Sequence, residues 1–180
     1  AGATAKNQHT ANIYADDLNA RKTHPRSTPN VHVLQELKDC QREVHEWGSC
    51  NQAVFEETKE HFCIYSMDDS YGETVRTLGV LLDTQLRMEE AVGATVKEAG
   101  WKIARILRAR SKFSREHLLH LYKARVLSYI EFRTAAVYHA CDSRLCHLDR
   151  LQRKFPREIG LDEFQALRDY KLAPLCTRRA

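Results

Sequence analysis

Asp16 and Asp17 stand side by side, with Ile13, Tyr14 and Ala15 before them and Leu18 after. Two neighbouring carboxylates present hard oxygen ligands. Mg²⁺ prefers such oxygens and keeps open positions for substrate phosphates, so the chemistry this pair could serve is phosphoryl transfer. An Asp-Asp pair in an ordinary solvated turn would do nothing, so its meaning rests on its surroundings.

A second set of side chains offers binding rather than catalysis. The net charge of +4 conceals an uneven layout: residues 34–90 hold 13 acidic and 5 basic side chains, whereas residues 97–133 hold 10 basic and 3 acidic ones. Lys102, Arg105, Arg108, Arg110, Lys112 and Arg115, followed by Lys123 and Arg125, make up the dense part of the basic stretch. Clustered cations attract a phosphate backbone and release its counterions, which gives salt-sensitive, sequence-blind binding. The alternative is a plain solvated helix face. Trp101 and Tyr122, which interrupt the cations, are expected to pack in the core rather than stack on bases.

The six cysteines lack the paired spacing of a zinc ribbon or finger, and reduced thiols are the expectation. His139, Cys141, Cys146 and His147 fall within nine positions. They lie at the start of a single helix, whereas compact zinc sites draw ligands from two separated turns, so surface histidines and buried thiols are expected there. Met67-Asp68-Asp69 imitates the first acidic pair but sits in a polar loop beside Gly72 and carries no metal expectation.

Periodicity gives the elements that carry these residues. Residues 11–20 alternate about the Asp-Asp pair with no helical stripe, which predicts a hairpin with the carboxylates at its tip. Residues 21–30 contain Pro25 and Pro29 and read as a loop. A helix is expected from an Asn30 N-cap to Trp47, with Val33, Leu37, Cys40, Val44 and Trp47 on its inner stripe and Gly48 as its stop. Short strands are expected at 53–55 and 61–65, and a further β segment at 75–82, bent at Gly79.

Beyond Asp83 the period changes to that of helices, which places a domain boundary between 83 and 90. The first helix carries Val92, Val96, Ala99, Ile103, Ile106 and Leu107. The second starts at an N-cap Ser114 and buries Leu118, Tyr122, Val126 and Ile130. The third begins near Asp142 or Ser143 with Leu145, Leu148, Leu151 and Phe155, and Pro156 is expected to end or kink it. The fold class is therefore α+β: residues 1–85 mixed and residues 86–180 an all-α three-helix part.

Tyr14-Ala15-Asp16-Asp17 matches the Tyr-x-Asp-Asp motif of reverse transcriptase palms, and the motifs after it keep the family's order. The helix ending at Trp47-Gly48, then Asn51, Phe55 and Lys59, resembles the next palm motif of non-LTR retrotransposon enzymes. Residues 76–80, with Leu78-Gly79, resemble the hairpin that grips the primer. Residues 121–129, Leu148-Asp149-Arg150 with Gln152, and 172–175 with Arg178-Arg179 are similar to thumb and post-thumb signatures of the same family. The resemblance runs from about Asn12 onward.

This resemblance implies a partial palm followed by a helical thumb, and an RNA-directed DNA polymerase, a nucleotidyltransferase that extends a DNA primer on an RNA template with deoxynucleoside triphosphates. Two Mg²⁺ ions would take part, with Asp16 and Asp17 as ligands, Lys59 near the incoming phosphates, and Leu78 and Gly79 supporting the primer. The family also has an earlier palm aspartate and fingers. The residues before Tyr14 contain no acid, so the chain is expected to be a fragment, or a decayed element copy, that does not polymerise alone. A non-catalytic nucleic-acid-binding helical module and a helical protein-interaction domain are the competing expectations.

A hydrophobic fraction of 43% in 180 residues suffices for a real core. No run approaches the roughly 18 apolar residues of a membrane span, and the first residues lack a signal-peptide pattern. No membrane partner and an intracellular location, nuclear or cytoplasmic, are expected.

Overall fold

The computed structural model describes residues 9–14 and 17–179, with the backbone alone at residues 13, 14 and 17. The chain is mixed α+β and mostly helical, with two small antiparallel two-stranded sheets. It divides into two compact units, Ala1–Glu73 and Thr74–Ala180. The division falls ahead of the expected change at 83–90, because the 75–82 hairpin joins the helical unit through Val80, which belongs to its core.

In unit 1, β1 (Thr10–Tyr14) and β2 (Asp17–Arg21) pair antiparallel, with Thr10 opposite Arg21 and Tyr14 opposite Asp17. The expected hairpin is present. After the proline-containing loop comes α1 (Asn30–Cys50). Its N-cap is Pro29 rather than Asn30: the extended backbone of Pro29 launches the helix, and the Asn30 amide instead donates to the Asp69 carbonyl at 3.1 Å.

Gly48 does not stop α1 either. It lies buried inside the helix, where an added Cβ would come within 2.5 Å of the Ala53 carbonyl oxygen and 2.8 Å of Phe55 Cε2. The glycine lets the returning chain cross the helix surface, and the helix ends at Cys50. This contact also explains why the strand expected at 53–55 is absent, since that segment lies on the helix instead of pairing. The strand expected at 61–65 is reduced to one bridge, Ile64 with Tyr71. Between them stands a single 3₁₀ turn, Glu57–Lys59.

In unit 2, β3 (Val75–Thr77) and β4 (Val80–Leu82) form a second hairpin. Its two turn residues, Leu78 (φ 48°) and Gly79 (φ 79°), both have positive φ, as a two-residue turn of the I′ kind requires. Leu78 thus occupies a conformation that a leucine rarely adopts.

The helices come next in the chain: α2 (Glu89–Arg108), α3 (Arg115–Tyr122), a π-helical turn at Lys123–Leu127, α4 (Ser128–Val137), α5 (Asp142–Glu158), α6 (Glu163–Tyr170) and α7 (Leu175–Arg179). As expected, Ser114 caps α3, its hydroxyl accepting from the His117 amide. Val92, Ala99, Ile103 and Ile106 of α2 meet Leu118, Tyr122, Val126 and Ile130 and, from α5, Leu145, Leu148 and Phe155 in one core. Tyr122 stacks on Phe155 with ring centroids 4.4 Å apart.

Pro156 does not end α5. The helix continues to Glu158 and closes on a Schellman arrangement: the Leu161 amide donates to the Pro156 carbonyl, the Gly160 amide donates to the Arg157 carbonyl, and Gly160 takes a positive φ of 74°. Pro156 lacks the N–H that would bond the carbonyl four residues back, and the helix accommodates it within its last turn. Two further helices, α6 and α7, extend the expected three-helix part. Among the described residues, no helix is long and apolar enough to cross a membrane.

Candidate functional site

In unit 1 the Tyr14-Ala15-Asp16-Asp17 run begins on the last residue of β1 and ends on the first residue of β2. Asp16 lies outside the described residues, and Asp17 is placed by its backbone alone. Lys59 ends the 3₁₀ turn with its side chain 77% exposed, and its Nζ is 2.5 Å from Glu56 Oε2. That hydrogen bond holds the Glu56 carboxyl below its ordinary pKa. An ion pair this exposed is worth little, so Lys59 can exchange its partner for another anion.

The other members of the palm-like motif have structural roles. Asn51 donates its side-chain amide to the Trp47 carbonyl at 2.8 Å, closing the end of α1. Phe55 sits against Gly48 and meets His45 edge-on, 5.8 Å between ring centroids. The imitation pair Asp68-Asp69 is tied into its loop: Asp68 pairs with Arg26, and the Ser66 hydroxyl accepts from both aspartate amides at 3.3 Å. Among the described residues, no group of three or more His, Cys, Asp or Glu side chains gathers as a metal site. His139 instead bonds the Leu86 carbonyl at 2.9 Å, and the Cys146 thiol bonds the Ser143 carbonyl at 3.0 Å. Contrary to expectation neither thiol of that cluster is buried: Cys141 is exposed at the N-cap of α5, and Cys146, inside the helix, is half-buried.

In unit 2, the β3–β4 turn is fastened by Arg133, whose Nη2 donates to the Gly79 carbonyl at 3.3 Å. The same guanidinium lies over the Tyr129 ring, 3.9 Å from its centroid, while Lys102 approaches that ring at 4.9 Å and Glu98 at 3.2 Å. Burial raises the pKa of the Tyr129 hydroxyl, against the opposing pull of Arg133.

Trp101 is not a core residue: it is 54% exposed, and Arg105 covers its ring at 4.4 Å. Each of these aromatic–cation pairs, Trp101 with Arg105 and Tyr129 with Arg133, spans four residues of one helix. That spacing was a usable signal, because residues four apart are neighbours on a helix surface.

The expected cations divide into two kinds. Arg105, Arg108, Arg110, Lys112, Arg115 and Arg125 are exposed. Of these, Arg110 pairs with Glu158 at 3.5 Å, and Arg105 and Arg108 also complete the last turn of α2, where cations favour the helix dipole. Lys102 and Lys123 differ: both are partly buried, Lys102 pairs with Glu98, and the Lys123 ammonium donates to the Tyr170 carbonyl, fastening the end of α6.

The thumb-like and post-thumb-like motifs come together. The Gln152 amide donates to the Ala173 carbonyl at 2.8 Å and accepts from the Leu175 amide at 2.7 Å, while Asp149 and Arg179 form an ion pair of 2.9 Å with both side chains nearly buried. These residues clasp the end of the chain to α5. Comparison of the chain with protein-family models, with curated proteins and with solved structures gave no match in any of the three.

Proposed function

We propose that this chain is a segment of an RNA-directed DNA polymerase of the non-LTR retrotransposon kind, with the metal-binding carboxylates in unit 1 and a phosphate-binding helical surface in unit 2. The observation that carries the reading is the register of the first hairpin. β1 ends at Tyr14 and β2 begins opposite it at Asp17, so the acidic pair falls where the chain reverses. As residue types, Asp16 and Asp17 supply hard oxygen donors of the kind that suits Mg²⁺.

Bound Mg²⁺ would neutralise charge developing on the transferred phosphoryl group. The protein's own residues would supply the rest: Asp16 and Asp17 would hold the ion, and the exposed Lys59 would meet phosphate oxygens after leaving Glu56. The Leu78-Gly79 turn, braced by Arg133, supports the primer strand through its backbone. Arg105, Arg108, Lys112 and Arg115 take the backbone of the primer–template duplex.

The test is Asp16→Asn in the complete polypeptide. Primer extension on an RNA template is expected to fall by orders of magnitude while duplex binding stays within about a factor of two, because the cations of unit 2 dominate backbone affinity. Undiminished synthesis would refute the reading.

A second reading is a nucleic-acid-binding helical module without catalysis. It is favoured by the self-contained core of unit 2 and by the placement of the exposed Arg105, Arg108, Arg110, Lys112, Arg115 and Arg125 within that unit. It expects the same duplex binding and no dependence of any activity on Asp16.

A further inference from the structure

Arg153, Lys154 and Arg157 lie outside the cation set of α2 and α3, and they join Arg150 on one face of α5. The spacing of three, four and seven residues aligns all four on a single stripe. With Glu158 they line an open groove of about 540 Å³. All are exposed, while the opposite face of α5, with Leu148, Gln152 and Phe155, is buried in the unit 2 core.

The charge of this groove is only partly compensated. Arg157 pairs with Glu163 at 3.1 Å and Glu158 with Arg110 at 3.5 Å. Among the described residues, Arg150, Arg153 and Lys154 have no carboxylate within ion-pair distance. Like charges three and four residues apart disfavour the helix that carries them. A bound polyanion removes that penalty, and a merely solvated face gains nothing from keeping it.

The chemistry of the lining narrows the ligand. Three of the four cations are arginines, whose planar forks match phosphate oxygens two at a time. Among the described residues no aromatic ring lines the groove, so it lacks the aromatic platforms on which single-strand binding chiefly relies. The groove also adjoins the cations of the α2–α3 turn. Arg110 reaches Glu158 at its rim, and the Arg115 guanidinium lies against Gly160, 3.3 Å from where a Cβ would stand.

We propose that the Arg150–Arg153–Lys154–Arg157 face of α5 is a second nucleic-acid contact that grips the phosphate backbone of a double helix without reading its sequence. The proposal rests on the nucleic-acid reading of unit 2 and adds a separate strip to it.

The experiment uses the full 180-residue chain, a short RNA–DNA hybrid duplex and fluorescence anisotropy across a series of NaCl concentrations. Arg150→Glu, Arg153→Glu and Lys154→Glu are combined in one variant, and circular dichroism checks that it folds. Affinity is expected to fall by about ten-fold or more, and the slope of log K against log salt to shrink by about 2 to 3, because each lost phosphate contact removes about 0.9. Affinity for a single-stranded oligonucleotide is expected to fall less.

If the variant keeps the wild-type affinity and slope while Arg108→Glu with Lys112→Glu weakens binding, the α5 contact is overturned and the proposed function stands. Failure of the unaltered chain to bind the duplex overturns both. Loss of binding to phosphatidylserine vesicles with no change on the duplex assigns the strip to a membrane surface and likewise overturns the proposal.

Discussion

In unit 2 the side chains of Met88, Tyr122, Leu148 and Phe155 are sealed from solvent within a core drawn from every long helix of that unit. In unit 1, by contrast, Val33 and Cys40 are the buried apolar side chains among the described residues, and Leu37 and Val44 of the same stripe stay half-buried. Unit 1 is held more by polar ties: His45 to Glu60 at 2.6 Å, Lys22 to Glu36 at 2.5 Å, and Arg26 to Asp68. Partly exposed pairs of this kind contribute about 0–1 kcal/mol each, whereas a fully buried large apolar side chain contributes about 1.5–3 kcal/mol. The unit with the candidate metal ligands is thus expected to open more readily than the unit with the candidate phosphate contacts.

The comparison breaks most decisively at Phe155. Phe155→Ala removes a fully buried ring stacked on Tyr122 and is expected to destabilise unit 2 by about 3–5 kcal/mol. Hydrogen exchange should then show α2 and α5 losing protection while α1 keeps its own. Parallel loss in α1 would mean that the two units unfold as one and would end the distinction.

A smaller effect is expected from Gly48→Ala. In an open helix this change would gain about 1 kcal/mol. Here the new methyl meets the Ala53 carbonyl and the Phe55 ring closer than any contact allows, and such overpacking costs about 1–3 kcal/mol. Sterics win, so exchange from α1 should accelerate and α5 should be unaffected. A stabilised α1 would show that residues 53–55 leave room for a methyl group over the helix.

The finest distinction is chemical. The Ser143 hydroxyl and the Arg144 amide hold the exposed Cys141 thiol below its ordinary pKa, whereas burial pushes Cys40 and Cys63 of unit 1 up. A lowered pKa keeps thiolate present to lower pH, and thiolate is the reactive form. Alkylation followed by peptide mass mapping should therefore modify Cys141 first, with the gap widening as pH falls. Equal rates would show that unit 1 opens faster than the reagent reacts.

Much of unit 2 was legible because its signals are local and periodic. The Val92–Ile106 stripe, the Ser114 cap and the buried Tyr122 all follow from the 3.6-residue repeat and from capping chemistry. The hairpin around the acidic pair was legible for the same reason, through its alternation of two. The failures share another cause. Ala53 and Phe55 have strand-like composition, yet they lie across a glycine contributed by α1. Trp101 is apolar, yet it remains outside under Arg105. Lys123 falls within a basic run, yet its ammonium is taken up by the Tyr170 carbonyl. In each case the deciding partner is distant in sequence or on another element, or the side chain has two compatible environments.

The α5 strip escaped notice because Arg150, Arg153, Lys154 and Arg157 are interleaved with Leu151, Gln152, Phe155 and Pro156 and flanked by Asp149 and Glu158 along the chain. Only when the helix has buried Leu148, Gln152 and Phe155 do the four cations emerge as one face with little opposing charge.

What the amino-acid order determined unaided is the class of each strongly periodic element and the antiparallel pairing of the strands on either side of the acidic pair, since both depend on neighbours within a few residues. The tertiary structure alone decided which glycine admits a crossing chain, which cations are tied to carbonyls and which stay free, and where the chain divides. Those outcomes depend on which surfaces exclude water together, and burial is a property of distant residues meeting rather than of any one segment.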